Sequence, residues 1–204
     1  MPAVNLQEIL RHLDQMGVCA PADLISVLKQ LEAFGPIIDG YFDHHAMLMH
    51  PSLVSWISTH LARFGIFETQ KEDLPDVILA VDNGDVRLAN RIAELIMWSR
   101  PKHSVLSMFC ELDAYREIEI RQPAFKRLIA GRKVCIVQSV ATTGTPGKQV
   151  VEAVRALGGI VNNYLLVLNR GPKPGQLVTT SDLGEVPNLY SLMTRFDLTE
   201  QSIP

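Results

Sequence analysis

From Asp76 onward the chain repeats a strand, a turn and an amphipathic helix, and this alternation limits the fold more than any other feature. Val77-Ile78-Leu79-Ala80 is a short continuous apolar run, as in a strand buried on both faces. Asp82-Asn83-Gly84 is a turn signal. Residues Asp85 to Trp98 place Leu88, Ala89, Ile92, Ala93 and Ile96 on one helical face. Val105 to Phe109 reads as a second buried run, and Val134-Cys135-Ile136-Val137 as a third that ends at Val137. Thr142 to Gly147 reads as a loop, Gln149 to Leu157 as a helix, and Ile160 to Leu168 as a further strand. Strands alternating with helices predict a parallel sheet with right-handed crossovers. Ligands of such sheets sit at the carboxyl ends of the strands.

Outside this core the pattern is less regular. Leu6, Ile9, Leu10, Leu13 and Met16 have helical spacing, and a second helix follows Pro21, so residues 1–36 are expected to form a helical cap or a partner surface. Residues 37–204 would then be the α/β domain. Ile37 to Met49 reads as irregular strand and loop, and Pro51 to Arg63 as a helix. Ile118 and Ile120 alternate with charged residues, as in a half-exposed edge strand. Gly171 to Gly175 reads as a linker, and the tail as loop or short strand.

Charge and cysteine content exclude several classes. The net charge of the 204 residues is -3 and aromatics are 6%, so neither a basic footprint nor interleaved stacking residues point to nucleic acid. Cys19, Cys110 and Cys135 lie far apart, without the spacing of a disulfide framework or a zinc site. No apolar run reaches the ~20 residues that span a bilayer. A reducing, cytoplasmic setting is the expectation.

Chemistry concentrates in Val134 to Gly147, VCIVQSVATTGTPG. Gly144 permits a positive φ and close approach of a ligand to the backbone. Successive amides at the loop and helix start form an anion cradle, to which three threonine hydroxyls add donors. Helix-terminus effects are worth ~0.3–1 kcal/mol, and up to ~2 when partly buried. Such a loop suits a phosphate monoester, although an ordinary strand–helix turn with a threonine cap has the same composition.

The same segment resembles the signature of type I phosphoribosyltransferases: four apolar strand residues, two acids, two apolar residues and a Thr-Thr-Gly-type loop. Tyr41-Phe42-Asp43-His44-His45, Met49-His50-Pro51, the stretch Asp76 to Asp85, Arg121 to Phe125, and Gly131 with Lys133 follow the order of orotate phosphoribosyltransferases. The resemblance implies a central parallel sheet flanked by helices with a small hood. By that match Ala141, Thr142, Thr143, Gly144 and Thr145 would hold the 5-phosphate of phosphoribosyl pyrophosphate. Val81, Asp82, Asn83 and Gly84 would face its pyrophosphate, and His44 the substrate. Mg2+, orotate and a homodimer are also implied.

Three departures stand out. Gln138 and Ser139 replace the family's acidic pair, which stabilises positive charge on the sugar. Losing two charge-assisted hydrogen bonds costs roughly 3–6 kcal/mol. Asp82 and Asp85 flank the pyrophosphate loop and would repel that ligand, unless Asp85 caps the following helix and Asp82 faces solvent. The mobile loop between Cys110 and Ile120 holds Arg116 and no lysine. His44 and His45, adjacent on an extended segment, point opposite ways and are poorly placed to share a metal. Three functions are therefore open: a phosphoribosyl transfer to a pyrimidine base through Gln138, Ser139 and Arg116, a module that binds a nucleotide monophosphate, or a purely structural interaction domain.

Overall fold

The computed structural model describes residues 48, 51–68, 74–112, 118–119, 123–173 and 176–194. Helix α1 spans Pro51–Ala62 and runs into a π-helical turn, Arg63–Phe67. The core alternation follows: β1 Val77–Ala80, α2 Val86–Ser99 and β2 Leu106–Phe109. A short antiparallel ribbon pairs β3 Glu111–Leu112 with β4 Ile118–Glu119. Helix α3 Pro123–Ile129, β5 Lys133–Ala141, α4 Thr145–Ala156, β6 Ile160–Asn169 and β7 Asn188–Thr194 complete the described chain.

The main sheet has the order β2-β1-β5-β6-β7, and every pairing is parallel. Successive strand residues point to opposite faces, so each strand feeds two cores. Ile78, Ala80, Cys135, Val137, Leu165 and Val167 pack with Trp56, Ile57 and Leu61 of α1 and with Leu88, Ile92 and Ile96 of α2. Val77, Leu79, Val134, Ile136, Tyr164 and Leu166 pack under Val150, Val151 and Val154 of α4. Burial on both faces is the reason these strands lack a polar alternation.

Several elements differ from the sequence expectation. β5 does not stop at Val137 but carries Gln138, Ser139 and Val140 to Ala141, because its ladder to β6 extends to Ala141↔Asn169. Helix α4 begins at Thr145 rather than Gln149: Pro146 suits the first turn, and Gly147 lies inside the helix. A Cβ at Gly147 would come within 2.7 Å of Leu183 Cδ2 and 2.9 Å of the Tyr164 ring. β2 is an edge strand, and within it only Met108 is buried. The tail forms a seven-residue strand, β7, in register with β6. The expected helices within residues 1–36 lie outside the described residues. No described helix is long and apolar enough to cross a membrane.

Candidate functional site

β1 and β5 are adjacent, so the turn after β1 and the loop after β5 meet at the carboxyl edge of the sheet. The amide of Val81 donates to the carbonyl of Val137 at 3.1 Å, which continues the ladder into the first turn. Within that turn Asp82 Oδ1 accepts the amides of Gly84 at 2.6 Å and Asp85 at 3.2 Å. Asp82 therefore shapes the turn and covers the start of α2, while Asn83 is exposed.

Asp85 was expected to cap α2, and it does not. It stands at the cap position without a side-chain cap bond. Its carboxyl crosses to β5, where Oδ1 accepts the Ser139 amide at 3.0 Å. Oδ2 is buried and has no hydrogen-bond partner. Burial foremost, then the charge of Asp82, pushes the Asp85 carboxyl up to about 8, against the opposing pull of Ser139 hydrogen bonds. At neutral pH this side chain is mostly the uncharged acid.

The two positions that carry acids in the resembling family point to opposite faces of the sheet. Ser139 lies on the face of α2, next to Asp85, and is buried. Gln138 lies on the face of α4, where its Oε1 accepts the Tyr164 hydroxyl at 2.6 Å. Tyr164 is wholly buried, and burial, then the nearby Asp85 and Cys110, holds its hydroxyl well above the usual tyrosine range. Gly147 makes room for that ring beneath α4.

Beyond Ala141 the loop turns sharply. Gly144 has φ 78°, a left-handed conformation that a side chain would strain, and a Cβ there would lie 3.1 Å from Val178 Cγ1. Thr142, Thr143 and Thr145 are exposed. The Thr143 hydroxyl donates to Thr145 Oγ1 at 3.1 Å and accepts the Thr145 amide at 3.3 Å. A threonine cap at the start of α4 is therefore formed, and the three threonines that carry it are exposed.

The wall behind the cradle went unread in the sequence. Asn169 ends β6, and its side chain bonds both ways to the backbone of Val178, at 2.8 and 2.9 Å. Asp182 accepts the amide and the hydroxyl of Thr179, which hold its carboxylate below the usual range. Arg170 donates its amide to the carbonyl of Ala141 at 2.9 Å, and the residue is partly exposed. An asparagine and an arginine closing an apolar run were the available signal. His44 and Arg116 lie outside the described residues.

Among the described residues, the Mg2+ implied by the resemblance finds no set of carboxylate donors. Mg2+ favours carboxylates with free oxygens, together with waters and substrate phosphates. Asp85 is sequestered against Ser139, Asp82 Oδ1 is taken by two amides, and Gln138 and Ser139 carry no charge. Among the described residues no three His, Cys, Asp or Glu side chains come together. The described residues do not fit a metal held by the protein.

No family model matches the chain. It is 29% identical over 107 residues to an orotate phosphoribosyltransferase of Rhodopseudomonas palustris (strain BisB18). That alignment covers 51% of this chain and 56% of the relative, so the chain spans about half the length of the curated relative it matches. In structure it is similar to orotate phosphoribosyltransferase of Mycobacterium tuberculosis H37Rv in complex with inorganic phosphate (TM-score 0.58, 19% identity, covering 94% of this chain and 95% of that one). It is also similar to adenine phosphoribosyltransferase from Thermoanaerobacter pseudethanolicus (TM-score 0.56, 16% identity, 76% and 87% covered). A third likeness is to orotate phosphoribosyltransferase from Aeropyrum pernix (TM-score 0.53, 22% identity, 79% and 82% covered). The fold is that of the type I phosphoribosyltransferases, and about half of the chain is homologous to an orotate phosphoribosyltransferase.

Proposed function

We propose that this chain binds a phosphoribosyl compound through its 5-phosphate, held by Ala141, Thr142, Thr143, Gly144 and Thr145. The observation that carries this reading is the left-handed Gly144 between exposed threonines at the start of α4. Exposed threonines then stand at the positive end of a helix dipole, which favours an anion. Arg170, whose amide donates to the Ala141 carbonyl, is the nearest cation in sequence to this loop's partner strand.

Transfer of the phosphoribosyl group from phosphoribosyl pyrophosphate to a pyrimidine base such as orotate is the reaction that the relative supports. In that reading Val81 to Gly84 face the pyrophosphate, and Arg116 is the cation of the mobile loop. Gln138 and Ser139 stand at the ribose, His44 faces the substrate, Mg2+ arrives with the pyrophosphate, and the chain acts as a homodimer. A second reading, a module that binds a nucleotide monophosphate without turnover, is favoured by one observation. Neither Gln138 nor Ser139 offers a charge to the sugar, and the nearest acid, Asp85, is buried.

Ligand-induced thermal stabilisation separates the readings. A ligand at 100 times its Kd adds ~2.7 kcal/mol, or roughly 5–11 °C for a domain of 150–250 residues. Ribose 5-phosphate and orotidine monophosphate are expected to stabilise the protein, and Thr143→Ala to lose most of that shift. No shift with any monophosphate would remove the 5-phosphate reading. Orotidine monophosphate formed from orotate and phosphoribosyl pyrophosphate with Mg2+, above a Thr143→Ala background, would remove the binding-only reading.

A further inference from the structure

Phosphate recognition leaves one buried group without a task, the Asp85 carboxyl. It is fully buried, yet it makes no cap bond at the head of its own helix. Asp82 already satisfies the amides of Gly84 and Asp85, so the Asp85 side chain is free to reach β5. There it fastens the turn after β1 to Ser139, two residues before the cradle begins at Ala141. Its second oxygen is enclosed and unpartnered. A charged carboxylate in such a place costs several kcal/mol, whereas the neutral acid is tolerated.

We propose that Asp85 is the positioning residue of the cradle, tying the turn after β1 to the end of β5, and that its charge state sets the anion affinity of the site. This rests on the 5-phosphate reading above. The groups that act on Asp85 are Asp82 from the turn and Ser139 from β5, and the Asp85 charge reaches Tyr164 of β6, which Cys110 also influences. No cation among the described residues pairs with it. Burial pushes the Cys110 thiol up to about 12, and Tyr164 lies well above its usual range. Of the shifted groups in this cluster, Asp85 alone passes its midpoint between pH 7 and pH 9. As the neutral acid it adds no negative charge beside the end of β5. Once ionised it places one at Ser139, two residues before Ala141, where repulsion of an anion at ~10 Å and an effective dielectric of ~20 amounts to roughly tenfold in affinity.

The test is calorimetric binding of ribose 5-phosphate to the full chain from pH 7 to pH 9, where the monoester, with its second pKa near 6, stays a dianion. The wild-type protein is expected to lose roughly tenfold in affinity over that range. Asp85→Asn keeps an acceptor for the Ser139 amide and is expected to give a flat profile. Binding at pH 7 that does not weaken with pH, or an Asp85→Asn profile that falls as the wild type does, overturns the inference while the 5-phosphate reading stands. Absence of binding at every pH removes that reading, and the inference with it. Asp82→Asn supplies a second measurement if Asp85→Asn fails to fold. Removing the neighbouring charge moves the midpoint of the affinity loss to lower pH, and an unmoved midpoint overturns the inference.

Discussion

Gly147→Ala tests the packing beneath the cradle, because two physical effects predict opposite signs. Helix propensity alone makes alanine better than glycine by about 1 kcal/mol in a helix interior. Gly147 lies in the first turn of α4, where that gain is at most partial. Against it, the new methyl would meet the Tyr164 hydroxyl, the Tyr164 Cζ at 2.9 Å and Leu183 Cδ2 at 2.7 Å. Leu183 can swing its terminal methyl aside, but Tyr164 is wholly buried and cannot retreat. Overpacking of this kind costs about 1–3 kcal/mol. Displacing the hydroxyl also strands Gln138 Oε1, and an unsatisfied buried acceptor costs about 1–3 kcal/mol. The net expectation is a loss of about 1–5 kcal/mol despite the better helix former. Urea unfolding of Gly147→Ala, Tyr164→Phe and the double variant measures it. Tyr164→Phe removes the atom in collision, so the double variant should be more stable than the sum of the single losses predicts, by about 1 kcal/mol or more. A neutral or stabilised Gly147→Ala, or strict additivity in the cycle, would refute the packing described here.

Stability should also fall as pH rises from neutral. The Asp85 carboxyl is raised from 3.8 to about 8, so the folded state binds this proton more tightly than the unfolded chain does. Its contribution is greatest below about 3.8 and is lost as pH rises through about 8. The slope is at most about 1.4 kcal/mol per pH unit for one group. Thermal midpoints should decline from pH 6 to about 8 and then level off, and Asp85→Asn should flatten that decline. Ser139→Asp alone should destabilise, since it sets a second carboxyl beside Asp85. Adding Asp85→Ser should recover about 1–3 kcal/mol of the loss, measured by chemical unfolding of both variants.

The parts of this fold that a sequence reveals are those whose burial is uniform. β1, Tyr164 to Leu168 of β6 and Val134 to Val137 of β5 are continuous apolar runs because both faces of the sheet are covered, and α2 carries a clean inward stripe. The second half of β5 was hidden because the apolar run breaks at Gln138, where the strand goes on but its side chains turn to polar partners. The start of α4 was misplaced because Gly147 resembles a loop residue, and only the Tyr164 ring explains a glycine inside that helix. β7 followed a stretch of proline and glycine, and its partner strand, β6, is contiguous in space but not in sequence. The turn from Thr142 to Thr145 was legible, since glycine and threonine signal their own local geometry. The Asp85–Ser139 and Tyr164–Gln138 contacts were not, because they join residues separated by 54 and 26 positions.

Those two contacts also bear on the two positions at which the resemblance would place acids. An acid at position 139 would stand beside the buried Asp85 carboxyl, and two such groups cannot both ionise without a large cost. An acid at position 138 would face the Tyr164 hydroxyl beneath α4, within the influence that Asp85 already exerts on that tyrosine. The space around the end of β5 therefore accommodates one carboxyl, and in this chain it comes from the head of α2. Gln138, Ser139 and Asp85 form a single electrostatic arrangement, in which the neutrality of two residues follows from the position of the third. Returning the acids to β5 while Asp85 remains should thus disarm the fold before it could arm a reaction.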